Sequence, residues 1–191
     1  MRAAFAALIL LGGCGASTGP APQAPSPSVS SAVQSSSGAC AARAARDWMV
    51  GGKSFMIEAT AEGPSCRDAV ARLAIRTSEG RALYANAYPL EQVPLAFNPN
   101  ADATRLASDL QAWIQGSDEF RTADQLPAWP EGAAAPPGFT PKLARVAYEG
   151  VRTEKASILC FPDGGESNAC IALIAEPVLV QEIGSLTPER R

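Results

Sequence analysis

The chain of 191 residues contains no histidine, and that absence removes several chemistries together. Without imidazole there is no Ser-His-Asp or Cys-His nucleophile system, no imidazole metal ligand and no side chain that ordinarily titrates near neutral pH. Lysine is scarce as well, at 3 residues against 13 arginines. The formal charge is −3 and no basic run occurs, which argues against nucleic acid as a partner. Aromatics are only 6%, and 37 of the 89 hydrophobic residues are alanine, so the core is thinner than the 47% hydrophobic content suggests. No long apolar run exists either. The stretch Ala3 to Leu11 is nine residues, whereas a helix crossing a bilayer needs about twenty. There is no internal repeat, and the length suits one domain with appendages.

What is present is most legible at the N-terminus. Arg2 followed by the short apolar stretch has the form of a cleaved signal peptide. It ends in Leu11-Gly12-Gly13-Cys14, which resembles the lipobox of bacterial lipoproteins. The resemblance implies removal of residues 1–13 and a mature chain beginning at Cys14. In that family the cysteine thiol is diacylated and the new amino group is often acylated too. The membrane is then a partner through lipid at Cys14, and each buried acyl CH₂ contributes about 0.8 kcal/mol. Gly15, where an aspartate would signal retention under the enteric sorting rule, implies an outer-membrane anchor facing the periplasm. Residues 14–39 then form a linker. From 15 to 39 it has four prolines, eight serines, no charge and no aromatic. That composition predicts a disordered tether with a root-mean-square reach of about 25–30 Å.

Residues 40–191 are read as a single domain. Four cysteines remain there: Cys40, Cys66, Cys160 and Cys170. In an oxidising compartment an even number reads as disulfides. Cys160 and Cys170 bracket the turn Pro162-Asp163-Gly164-Gly165 inside a hairpin pattern, which favours their pairing and leaves Cys40 with Cys66. A Cys₄ zinc site lacks any CxxC pair.

Alternation predicts strands at Ser54–Ala61 and Ala69–Thr77, the second with Val70, Arg72, Ala74 and Arg76 on its polar side. A hairpin loop Ser78-Glu79-Gly80 leads to a return strand Arg81–Tyr88. Ala103, Leu106, Ala107, Leu110, Trp113 and Ile114 form a helical stripe, capped by Asn100 or Asp102 and ended by Gly116. The stripe predicts burial of Leu106, Leu110 and Trp113, with Arg105, Asp109 and Gln111 facing water. Residues 117–141, with five prolines, read as a long loop. Strands are then expected at Lys142–Glu149, Lys155–Phe161, Ala169–Ala175 and Val178–Ile183. The order predicts an α+β fold, a mainly antiparallel sheet with one packed helix. The alternative is a small β-barrel with an appended helix.

Each apparent motif has a structural explanation. Gly52-Lys53-Ser54 lacks the P-loop's first glycine and precedes a strand. Gly165-Glu166-Ser167-Asn168-Ala169 sits at a hairpin tip without the histidine that a nucleophile elbow needs. Asn98, Asn100, Asp102 and Asp109 fall at EF-hand spacings, but Ala103 replaces the loop glycine, and helix capping explains the same residues. Asp118-Glu119 and Glu58 with Glu62 are the carboxylate pairs available to a histidine-free hydrolase. Tyr84 and Tyr88, with Asn86 between them, share a strand face, and Trp113 and Trp129 flank the long loop. The sequence therefore assigns no catalytic residue, cofactor or metal, and no small-molecule ligand is specified. It points to a lipid-anchored envelope protein, a non-enzymatic binding or assembly module with an envelope-protein or cell-wall partner. The overall plan is also similar to that of membrane-bound lysozyme inhibitors, which are small, disulfide-bearing, β-rich lipoproteins. A histidine-free hydrolase ranks third.

Overall fold

In the computed structural model, residues 39–117 and 121–187 are described. The signal peptide, Cys14, the linker up to residue 38, and Asp118-Glu119 lie outside them. The first sheet is a meander of four antiparallel strands, β1 (Cys40–Val50), β2 (Lys53–Gly63), β3 (Val70–Thr77) and β4 (Ala82–Pro89), in the order β1-β2-β3-β4. Its inner face carries Ala44, Trp48, Phe55, Ile57, Ala59, Leu73 and Ile75, all buried. The polar partners of those residues alternate onto the other side, as a half-buried antiparallel sheet requires. Gly80, at φ 84°, closes the β3–β4 hairpin through its N–H to the Thr77 carbonyl at 2.9 Å.

Helix α1 (Ala103–Gln115) follows, and Asp102 caps it by accepting the Arg105 N–H at 2.7 Å. Its end comes at Gly116, where φ is 71°. Leu106, Leu110, Trp113 and Ile114 lie buried against the first sheet, as the stripe requires. Asp109 departs from the expected solvent face and is buried, because the loop before the helix folds over it.

The second sheet has the order β5-β8-β7-β6, from β5 (Phe139–Pro141), β6 (Ser157–Gly164), β7 (Ser167–Ala175) and β8 (Val178–Leu186). One face contributes Leu159, Phe161, Ile171 and Leu173 to the core shared with the first sheet and α1. The other packs Ile158, Cys160, Cys170, Ala172 and Ile183 against Ala123, Leu126, Tyr148 and Val151. The β6–β7 hairpin is thus buried on both faces. The described residues belong to one compact unit. Both sheets are open, so the arrangement is α+β and not a closed barrel.

Three elements differ from the expectation. Cys40–Val50 is a strand hidden in the sequence by Arg46, which breaks the apolar alternation from the inner face. The Arg46 side chain is tolerated there because its Nε donates to the Ile114 carbonyl at 2.6 Å, at the C-terminal end of α1. The stretch expected as strand Lys142–Glu149 is instead part of a second helix, α2 (Arg145–Thr153). Helical geometry brings Tyr148 and Val151 onto one buried face, and it lets Arg152 pair with Glu149 at 2.7 Å. The loop 117–141 also acquires a 3₁₀ turn at Ala123–Gln125 and the short β5.

Candidate functional site

Both cysteine pairs are formed. Cys40 and Cys66 join the start of β1 to the β2–β3 connection, with Cα atoms 4.9 Å apart. Cys160 and Cys170 face each other directly across β6 and β7, with Cα atoms 4.1 Å apart.

The remaining sequence candidates separate into structural roles. Gly51 and Gly52 form the β1–β2 turn, and Lys53 pairs with Glu176 at 2.8 Å. Ser167 closes the β6–β7 hairpin by donating to Asp163 at 2.8 Å. Asn98, Asn100, Asp102 and Asp109 are joined by capping and loop bonds, with the Asn100 N–H on Asn98 Oδ1 at 2.9 Å. Among the described residues no group of three or more His, Cys, Asp or Glu is placed to hold a metal ion. No described helix is long and apolar enough to cross a membrane. Trp113 is a core residue whose indole N–H donates to the Pro162 carbonyl at 2.7 Å, and Trp129 meets Tyr148 edge-to-face. Tyr84 and Tyr88 do share a face, with their hydroxyls 3.0 Å apart, and Asn86 donates to the Tyr88 hydroxyl at 3.2 Å. Burial and the adjacent Tyr84 raise the Tyr88 phenol well above its ordinary value.

Glu58 and Glu62 do not make an acid–base pair. They lie four residues apart on one strand, about 13 Å along the backbone. Both oxygens of Glu58 are engaged, by Arg43 at 2.5 Å and by Arg76 Nε at 3.2 Å.

This ion-paired carboxylate borders a depression of about 450 Å³ on the outer face of the first sheet. The register produces it. Ala74 stands opposite Ala85, and Arg72 opposite Ala87, so three alanine side chains leave a low floor between taller neighbours. Arg72 and Arg76, four residues apart on β3, rise at either end, with Glu58 and Thr60 along the β2 side. Arg76 is anchored by Glu58 and by the Gly80 carbonyl at 3.2 Å. Arg72 has no hydrogen-bond or ion-pair partner among the described residues. An arginine held in place beside a second, unpaired one over an apolar floor is an arrangement suited to carboxylate or phosphate groups. Both arginines were visible in the sequence as polar positions of an alternating strand, but the floor depends on β4 and on pairing register.

No protein-family model, curated protein or solved structure matches this chain.

Proposed function

We propose that this chain is a lipid-anchored bacterial envelope lipoprotein whose domain from residue 40 to 191 is a non-enzymatic binding module. Support for the anchor comes from the Leu11-Gly12-Gly13-Cys14 motif and the uncharged Pro/Ser linker after it. The two disulfides fit an oxidising compartment such as the periplasm. The observation that carries the binding reading is the arginine-bordered depression on an open sheet face. Its groups can recognise a charged surface, while its one carboxylate is already occupied by two arginines and has no free base or acid role.

Mass spectrometry of the mature N-terminus tests the anchor. The expected species begins at a lipidated Cys14, and Cys14→Ser should release the protein from membranes. An unlipidated chain beginning elsewhere overturns this part. Affinity capture from detergent-solubilised envelopes tests the module. Specific retention of an envelope protein or cell-wall fragment is expected. Lysozyme inhibition or glycan hydrolysis by the purified protein, with no retained partner, would replace it with the corresponding alternative.

A further inference from the structure

Strand β4 is an edge strand: it pairs with β3 on one side and with no described strand on the other. Exposed edges are normally blunted by charge, proline or bulges, since unpaired backbone groups template the addition of another strand. The stretch Ala82-Leu83-Tyr84-Ala85-Asn86-Ala87 has neither charge nor proline; its one bulge, at Leu83, lies before the exposed Ala85, Asn86 and Ala87. The backbone parity is fixed by two bonds. Thr77 donates to the Arg81 carbonyl, and Leu90 to the Ala69 carbonyl, so alternate residues of β3 address β4. Tyr84, Asn86 and Tyr88 therefore face β3, whereas Ala85 and Ala87 direct their N–H and C=O groups outward. The Ala87 N–H is met only by its neighbour's side chain, Asn86 Oδ1 at 2.9 Å, and the Ala85 N–H has no partner among the described residues.

Resting on the binding-module reading, we propose that the β4 edge takes up an extended acidic peptide segment of a partner protein as a fifth strand. Main-chain bonds to Ala85 and Ala87 supply the attachment, in the manner of strand addition. Specificity comes from the outer face. An added strand lies about 4.8 Å beyond β4 and so about 10 Å from β3. Across that gap the β4 residues opposite Arg72, Ala74 and Arg76 are Ala87, Ala85 and Ala82, all with small side chains. Carboxylates on alternate residues of the incoming strand then reach Arg72 and Arg76 over the alanine floor. Two such carboxylates, four residues apart, match the spacing of the two arginines. A second copy of this chain is disfavoured as occupant. An antiparallel β4–β4 pair would present the other copy's alanines rather than carboxylates to Arg72 and Arg76, leaving both arginines without a complementary charge from it.

The test uses the full-length protein in detergent and two dye-labelled synthetic peptides, one alternating glutamate with valine and the other lysine with valine. Fluorescence anisotropy should show saturable binding of the glutamate peptide and at least about tenfold weaker binding of the lysine peptide, the effect of replacing charge-assisted pairs with repulsion. Arg72→Gln should weaken the glutamate peptide about tenfold. Ala85→Pro removes an outward N–H without touching the β3–β4 ladder and should abolish binding. In the unmodified protein, peptide should slow hydrogen exchange at the Ala85 and Ala87 amides, a readout that holds even if Ala85→Pro fails to fold. Equal binding of the two peptides, or unchanged exchange at both amides, overturns the proposal. Concentration-dependent dimerisation that protects the same amides also overturns it, in favour of self-pairing. If envelope capture proceeds unaltered with folded Ala85→Pro, the edge is wrong and the binding module stands. If unmodified protein captures nothing, the binding module itself fails.

Discussion

Asp109, on the buried side of α1, accepts the backbone N–H of Asn98 at Oδ2 across 3.3 Å, while its Oδ1 takes the Arg105 Nε at 2.9 Å. One carboxylate thus ties the helix to the loop that delivers the chain from β4. Replacing Asp109 with alanine leaves that N–H without its protein acceptor and should cost about 1–3 kcal/mol. Arg105→Ala should cost under about 1 kcal/mol, since its side chain is largely exposed. Urea melts of the two variants check the difference. An equal, small effect would show the loop to be held by its apolar residues alone.

Leu110 is fully buried between α1 and the first sheet. Leu110→Ala should destabilise the domain by about 2–5 kcal/mol, the range for a core leucine. Thermal unfolding followed by circular dichroism measures it. Unchanged stability would mean that the α1 stripe is not the main contact holding the helix down.

The two disulfides should contribute unequally. Cys40–Cys66 closes a loop with a sequence separation of 26, against 10 for Cys160–Cys170. Restriction of the unfolded chain gives about 3–4 kcal/mol for the longer loop and less for the shorter. Paired Cys→Ser variants, compared by chemical denaturation, should follow that order. Non-reducing peptide mapping should recover these two pairings alone.

Tyr148 gives the fold an alkaline limit. Its hydroxyl donates to the Pro127 carbonyl at 2.7 Å, and burial pushes its phenol up to about 12 from an ordinary 10.0. The folded state holds this proton more tightly than the unfolded state does. The associated stability is therefore complete below pH 10 and is lost as pH rises through about 12. Tyr148→Phe should lower stability at neutral pH and flatten its decline over that interval. Denaturation midpoints across the range would show it.

The legible parts of the fold were those where one physical pattern acted alone. In β2 and β3 alternation is uninterrupted, β4 follows from the hairpin turn at Gly80, and in α1 every third or fourth residue is apolar, so all were readable. Strand β1 was not, because Arg46 occupies an inward position made tolerable by the Ile114 and Asp47 carbonyls. Helix α2 was obscured by its brevity: Val146 is 87% exposed, and Gly150 lies inside it with open space at its missing side chain. For the candidate site, Arg72 and Arg76 could be placed on a polar face from sequence. Ala85 and Ala87 acquire meaning only from the register that sets them beside Ala74 and Arg72. Cross-strand pairing is a non-local property, and no window along the chain contains it.

The position of the Cys40–Cys66 bond has a mechanical consequence. Cys40 is the first residue of β1 and stands opposite Gly63, the last of β2. A pull on the preceding chain would otherwise peel β1 from β2 one backbone pair at a time, the weakest way to load a sheet. With the covalent bond at that corner, tension passes from Cys40 into Cys66, just ahead of β3. The load is then shared by strands on both sides, and the first hydrogen bonds of the hairpin are shielded from it. In a domain hauled by a tether at its N-terminus, that bond acts as a strain relief.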